Sequence, residues 1–250
     1  LESIAAPGDI AQSPLYLTTG IQPNIFLMVD DSGSMGWEAL LPSIAQGIGS
    51  IQTLNLTPAT EDEKRHMCAG YNVMAYNPAR SYTPWIGVDD AGNIYRYQAL
   101  SAARTNPFLT TTTDISSAVY YVWKDVNGNG VYDSGECGET SDLGGVAVSS
   151  LTAAQQTNFA NWYSYYRKRE YVAKRALSQI MYGATSRVGM GTLHNNNSVS
   201  TPIADMTDTT SSPTKKEVLM RNLFRINSSG GTPLRNSLQY AGTYYESGIG

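Results

Sequence analysis

The chain has 250 residues, a formal net charge of −4 and a pI near 5.2. This acidic balance, without a basic stripe, argues against nucleic-acid binding, because nothing would neutralise phosphates. Charged residues are only 15% of the chain, and 17 Tyr stand against 4 Phe, which favours a secreted, surface-exposed protein over a cytosolic enzyme. No apolar run approaches the roughly 18 residues that a membrane span needs. Without a basic and apolar leader at Leu1, the sequence is expected to be a mature form whose signal was removed or never included.

The most informative segment is IFLMVDDSGSMG at 25–36. Its short apolar run predicts a fully buried parallel strand, since it is bounded and lacks a helical period. The polar loop that follows lies where open α/β sheets bind ligands. Asp30, Ser32 and Ser34 offer one carboxylate and two hydroxyls on a tight turn. Oxygen ligands of this kind suit a hard cation such as Mg²⁺, with water or a partner's carboxylate completing the coordination.

This spacing resembles the metal ion-dependent adhesion site of the von Willebrand factor A domain, which also takes a threonine from a second loop. The segment SGGTPL at 229–234 matches that loop and places Thr232 in the metal position. The resemblance implies an α/β fold, a von Willebrand factor A-type (Rossmann-like) sheet with flanking helices. The alternative for the first loop alone is ordinary Ser/Gly turn chemistry.

The remaining core elements are predicted from periodicity. Helical spacing of apolar residues covers 153–182, a second buried strand covers 187–193, and helices follow at about 213–225 and 233–246 with Pro213 and Pro233 in their first turns. A weaker helical pattern covers 37–54, and short strand-like runs cover 94–98 and 118–124. We therefore predict an A-like core from 1–37 and 152–250, interrupted by an insertion at 38–151.

A second metal motif lies inside the insertion, at 125–136 (DVNGNGVYDSGE). It matches the twelve-residue calcium-loop template, with Gly130 at the sharp turn. The predicted Ca²⁺ ligands are Asp125, Asn127, Asn129, the carbonyl of Val131, Asp133 and a bidentate Glu136. The flanks do not form an EF-hand pair, so a structural site with a Kd on the order of 10⁻⁴ to 10⁻³ M, or somewhat tighter, is expected. The alternative is an Asn/Gly/Asp hairpin turn.

Two cysteines, Cys68 and Cys137, are present, without a CxxC or Cys/His metal spacing. An even, low count in a protein of extracellular character favours one disulfide. The alternative is a pair of buried free thiols.

Five segments in chain order resemble the amino-terminal region of the type IV pilus tip-associated adhesin family (PilY/PilC). They are DIAQSPLYLTTGIQPNIFLMVDDSGSM, YNVMAYNPARSYTPW, NFANWYSYYRKREYVAKRAL, RVGMGTL and GGTPLRNSLQYAGTYY. The resemblance implies a bacterial protein that is secreted to the cell surface and displayed at the pilus tip or outer membrane. It implies minor pilins and a host or surface ligand as partners, and roles in pilus biogenesis, adhesion and twitching motility.

The sequence also departs from this family. The 250 residues do not include a counterpart of the family's carboxy-terminal β-propeller. They also lack the third metal loop of an A domain, an Asp after a further strand, unless it lies beyond Gly250. The A-type sheet is therefore expected to be incomplete at its carboxyl end.

Other functions fit the sequence less well, and no enzyme activity is expected. An Asp-nucleophile hydrolase would use Asp30, but such enzymes usually carry a second Asp two residues later, where Ser32 stands. A serine hydrolase lacks its G-x-S-x-G elbow, and His66 and His194 are predicted to be polar loop residues. A calcium-stabilised, load-bearing module without a ligand of its own remains the main alternative.

Overall fold

The computed structural model describes residues 22–41, 53–138, 144–195 and 199–247. These residues form a mixed α/β structure, so the predicted α/β class is confirmed at this level. The strands are β1 (Asn24–Val29), β2 (Cys68–Ala69), β3 (Ala103–Arg104), β4 (Thr112–Thr113), β5 (Val119–Val122), β6 (Val146–Ala147), β7 (Arg187–Thr192) and β8 (Val199–Asp205). The helices are α1 (Glu61–His66), α2 (Ala153–Tyr165), α3 (Arg169–Gly183), α4 (Lys215–Arg225) and α5 (Leu234–Glu246). None of the described helices is long and apolar enough to span a membrane.

The main sheet has the order β1-β7-β8. β1 and β7 are parallel and in continuous register from Asn24↔Arg187 to Val29↔Thr192, and β8 is antiparallel to β7. The parallel strand predicted at 25–29 is therefore confirmed, but its complete burial is wrong, because Ile25 is 40% exposed. Within the described residues β1 is an edge strand that pairs with β7 alone, so one side of it stays open.

The helical stripe predicted at 153–182 is two helices, α2 and α3, separated at 166–168. Arg167 lies in the break, buried, and its guanidinium donates to Glu38 (2.8 Å), the Tyr163 carbonyl (2.6 Å) and the Thr105 carbonyl (2.7 Å). These contacts hold Arg167 in a non-helical segment, although the spacing of its apolar neighbours predicts one continuous helix.

The predicted helices at 213–225 and 233–246 are present, but neither proline occupies the first helical turn. Pro213 precedes the N-cap Thr214, and Pro233 is itself the N-cap residue of α5. Of the helix predicted at 37–54, residues 37–41 are not helical, and 42–52 lie outside the described part. The run at 118–124 contains β5, whereas 94–98 contributes only an isolated bridge between Ile94 and Val88.

Two buried clusters hold the elements together. The first joins the small β2-β5-β6 sheet to Phe159, Ala160 and Trp162 of α2. The second lies between the main sheet, α3 and α4, and it includes Trp85 from the predicted insertion. The insertion therefore contributes to the interior beside the main sheet. The boundaries at 37/38 and 151/152 stay a prediction.

Candidate metal centres

The first candidate centre lies at the carboxyl end of β1, where the chain enters a short 3₁₀ turn at Gly33–Gly36. Asp30 Oδ1 accepts hydrogen bonds from the Ser32 backbone N–H (2.9 Å) and from Ser32 Oγ (2.6 Å). Ser32 Oγ lies 3.4 Å from Ser34 Oγ. The turn thus gathers the carboxylate and both hydroxyls that the sequence singled out.

The loop at 229–232 packs directly on this turn. The Gly33 N–H donates to the Gly230 carbonyl (3.0 Å), and the Ser229 N–H donates to the Asp31 carbonyl (2.8 Å). Thr232 is exposed and lines the same open cavity, of about 560 Å³, as Ser32 and Ser34. All four residues predicted for the adhesion site therefore belong to two contacting loops that are far apart in the sequence.

Sequence reasoning does not identify two supporting residues. Asp31 is buried, and its Oδ1 accepts a hydrogen bond from the His194 backbone N–H (2.6 Å) just beyond β7. The His194 ring fills the space against Gly230, where an added Cβ would lie 2.0 Å from the imidazole. The sequence predicts His194 to be an ordinary loop residue, and the adjacent Asp-Asp pair is its only signal for Asp31.

The donor chemistry of these loops fits a single hard cation. Asp30 supplies a carboxylate, the serines and Thr232 supply neutral hydroxyls, and the open cavity leaves room for water or a partner's oxygen. Among the described residues no three His, Cys, Asp or Glu side chains form a metal-binding group. The site at Asp30 has one carboxylate and several hydroxyls, so it differs in kind from such a group. Mg²⁺ at this position stays a prediction.

The calcium-loop residues form a second, separate cluster. Asp125 accepts hydrogen bonds from the backbone N–H groups of Gly128 (2.7 Å) and Gly130 (2.7 Å). Asn127 and Asn129 both donate side-chain N–H groups to Asp133 Oδ2, at 2.6 and 2.8 Å. The side chains at template positions 3, 5 and 9 therefore meet, while Asp125 at position 1 binds backbone N–H groups of the same loop. These N–H donors occupy carboxylate oxygens that a cation would otherwise contact.

Glu136, the predicted bidentate ligand, has both oxygens engaged within the protein. Oε2 accepts from the Trp123 indole N–H (2.9 Å) and the Asp133 N–H (2.9 Å), and Oε1 accepts from the Val126 N–H (2.8 Å). These donors, the Trp123 indole first, lower the pKa of Glu136. Calcium would have to share or displace them. Val131, the predicted carbonyl ligand, has an exposed side chain and donates its N–H to Asn129 Oδ1 (2.8 Å).

The Cys68–Cys137 disulfide is present, with Cα atoms 5.9 Å apart and both cysteines buried. Cys137 directly follows Glu136, so the bond fixes the end of the calcium loop to β2. The loop is also fixed to α1, because the Tyr132 hydroxyl and the Gly135 N–H both donate to Glu61 Oε1.

Comparison with known proteins identifies relatives for nearly the whole chain. It is 24% identical to the type IV pilus biogenesis factor PilY1 of Pseudomonas aeruginosa (strain UCBPP-PA14) over 95% of its length, and 26% identical to the PilY1 of strain PAK over 96%. The chain spans only about one fifth (22%) of these relatives. No family model matches it, and neither does any solved structure. These relatives confirm the resemblance that the motifs predicted.

Proposed function

We propose that this relative of the PilY1 factors serves in a type IV pilus system as a binding and assembly module. Its curated relatives carry the name of a pilus biogenesis factor, which supports a role in pilus biogenesis. The finer proposal is that the module acts at the pilus tip or cell surface, in adhesion and twitching motility. Minor pilins and a host or surface ligand are its proposed partners, and the role is not enzymatic.

The single observation that carries the binding proposal is the contact between the two loops. Two backbone hydrogen bonds, Gly33 to Gly230 and Ser229 to Asp31, bring Thr232 to the cavity that Ser32 and Ser34 line. We infer that this site holds Mg²⁺ or another divalent cation within a von Willebrand factor A-type arrangement. One carboxylate leaves the cation under-neutralised, so it can accept an acidic group from the partner.

An Asp30→Ala variant tests this proposal. Removing the one ligand carboxylate should abolish Mg²⁺ binding in titration calorimetry and any Mg²⁺-dependent partner binding. The fold should stay intact, because Asp30 is only half-buried and, among the described residues, its carboxylate accepts hydrogen bonds from Ser32 alone, within the same turn. Asp114→Ala, which removes an exposed carboxylate in the insertion, is the matched control for charge. Equal partner binding by parent and Asp30→Ala, in Mg²⁺ and in chelator alike, would refute the proposal.

A second candidate function is a calcium-stabilised, load-bearing module without its own ligand. The anchoring of the 125–136 loop to both β2 and α1 favours it. Bacteria carrying Asp30→Ala in the full-length protein distinguish the two. Normal pilus display with lost surface binding supports the adhesin, and unchanged binding supports the load-bearing module.

A further inference from the structure

A buried ion pair on α3 lies close to the second loop of the candidate adhesion site. Lys174 Nζ lies 3.1 Å from Glu170 Oε1, and the two side chains are only 2% and 6% exposed. The Trp85 and Tyr171 rings flank the ammonium at 5.8 and 5.9 Å. Replacing a buried ion pair with apolar residues is often neutral or even stabilising, so a contribution to stability does not by itself explain why this pair is present.

The pair binds the segment that leads into the second loop. Lys174 Nζ donates to the carbonyls of Phe224 (3.2 Å) and Ile226 (2.5 Å), at the carboxyl end of α4 where a cation is favourable. Glu170 Oε2 accepts from both the backbone N–H (2.9 Å) and the hydroxyl of Ser228. Ser228 lines the cavity, so the pair holds the chain immediately before Gly230 and Thr232.

The start of α3 also contacts the first loop. The Arg169 N–H donates to the Trp37 carbonyl (3.3 Å), and its guanidinium donates to the Ser34 carbonyl (3.3 Å). Consecutive residues of one helix therefore contact both sides of the site: Arg169 contacts the first loop, and Glu170 contacts Ser228, the residue directly before the second loop. A rigid element of this kind can fix the distance between two sets of ligands.

We propose that Glu170 and Lys174 are positioning residues that set the location of Thr232 relative to Asp30, and thereby the cation affinity of the site. This inference rests on the proposed function, since it concerns the same centre. It adds a role for two residues that do not line the cavity.

The test is the double variant Glu170→Gln/Lys174→Met, which removes both charges together and avoids an unpaired one. Asp89→Asn/Arg104→Met is the matched control, because that pair (2.8 Å) lies in the insertion with Asp89 buried. Mn²⁺ is the spectroscopic probe, and circular dichroism first establishes that each variant is folded. The Glu170→Gln/Lys174→Met variant should then bind Mn²⁺ about 10- to 100-fold more weakly than the parent. The control should bind as the parent does. Parent-like Mn²⁺ affinity in the Glu170/Lys174 variant would overturn the inference.

Amide hydrogen exchange separates this inference from the proposed function. The Gly33 and Ser229 amides form the bonds between the loops, and their protection should fall in the Glu170/Lys174 variant but not in the control. If the parent binds no Mn²⁺, the proposed function fails, and exchange at these two amides still decides the positioning role. Unchanged protection would refute that role.

Ser228→Ala serves if the double variant does not fold. It leaves the ion pair in place and removes only the hydroxyl bond to Glu170. A smaller loss of Ser229 protection is then expected, and no loss would contradict the inference.

Discussion

The two candidate metal centres are built in opposite ways. The adhesion site joins loops from distant parts of the chain, held by backbone hydrogen bonds and by contacts from α3 and the loop beyond β7. The calcium loop gathers its polar groups within 125–136 and is then fastened to its surroundings by Cys137 and Glu61. The first therefore depends on correct packing of the whole core, and the second depends on its local fasteners. Perturbations should affect one centre and spare the other.

The largest expected effect is loss of the disulfide. The bond joins cysteines 69 positions apart, and the chain-entropy model gives about 4 kcal/mol of stabilisation for such a loop, an upper value because native strain subtracts. Cys68→Ala/Cys137→Ala should lower the free energy of unfolding by up to this amount, which is measured as a lower midpoint in denaturant. Cation affinity at the Asp30 site should stay at the parent value. A variant as stable as the parent would contradict the prediction.

Gly230→Ala should damage the adhesion site and spare the calcium loop. Gly230 has a φ of +67°, and an added Cβ would lie 2.0 Å from the His194 ring. A non-glycine residue in this conformation costs roughly 1–3 kcal/mol, and the clash adds to it. We expect lost Mg²⁺ binding in calorimetry with Ca²⁺ binding retained.

The control for this variant is Gly231→Ala, because a methyl group added at Gly231 would meet no atom of the described residues within 4 Å. It should bind Mg²⁺ as the parent does. Equal loss in both variants would mean that any side chain in this loop is harmful, whatever the His194 contact.

Calcium should stabilise the insertion without changing the adhesion site. At 10 to 100 times its Kd, Ca²⁺ would add about 1.4 to 2.7 kcal/mol to the free energy of unfolding. Glu136→Gln should remove this increment in thermal melts, because it deletes the bidentate ligand. Mg²⁺ at equal concentration is the control. An unchanged parent melting temperature in Ca²⁺ would leave the loop as a hydrogen-bonded turn only.

The smallest expected effect is acid sensitivity from His66. Its ring is buried, neither nitrogen has a hydrogen-bond partner among the described residues, and Nδ1 lies 4.0 Å from Asp62. Burial lowers its pKa from the ordinary 6.5. The unfolded chain then binds the proton more readily than the folded chain does. The contribution of neutral His66 to the free energy of unfolding is therefore fully present above the unfolded pKa of 6.5, and it is lost as the pH falls toward the folded pKa. His66→Leu should flatten the melting profile between about pH 7 and pH 5, and an unchanged slope would exclude His66 as the cause.

The features that could be predicted from the sequence are those whose sequence patterns are local. The strand before Asp30, the helices at α4 and α5 and the 125–136 loop each carry their pattern within a few residues. Asp31, His194 and the Glu170–Lys174 pair do not, because their roles arise from contacts between segments distant in sequence. The break between α2 and α3 escapes prediction for the same reason, since Arg167 is held there by Glu38. The position of β1 at the edge of the sheet formed by the described strands is likewise set by pairing between distant segments.

Trp85 limits which segments of this chain could be exchanged for the corresponding segments of its relatives. It comes from the predicted insertion, is 2% exposed, stacks on Phe224 of α4 at 5.3 Å and donates its indole N–H to the Tyr165 carbonyl (3.1 Å). A chimera that imports another protein's insertion would bring a foreign side chain to this position. Unless α4 and the end of α2 are swapped with it, the graft would leave a void or an overlap in the recipient's interior. Insertion and core are therefore expected to be inherited, and engineered, as one unit.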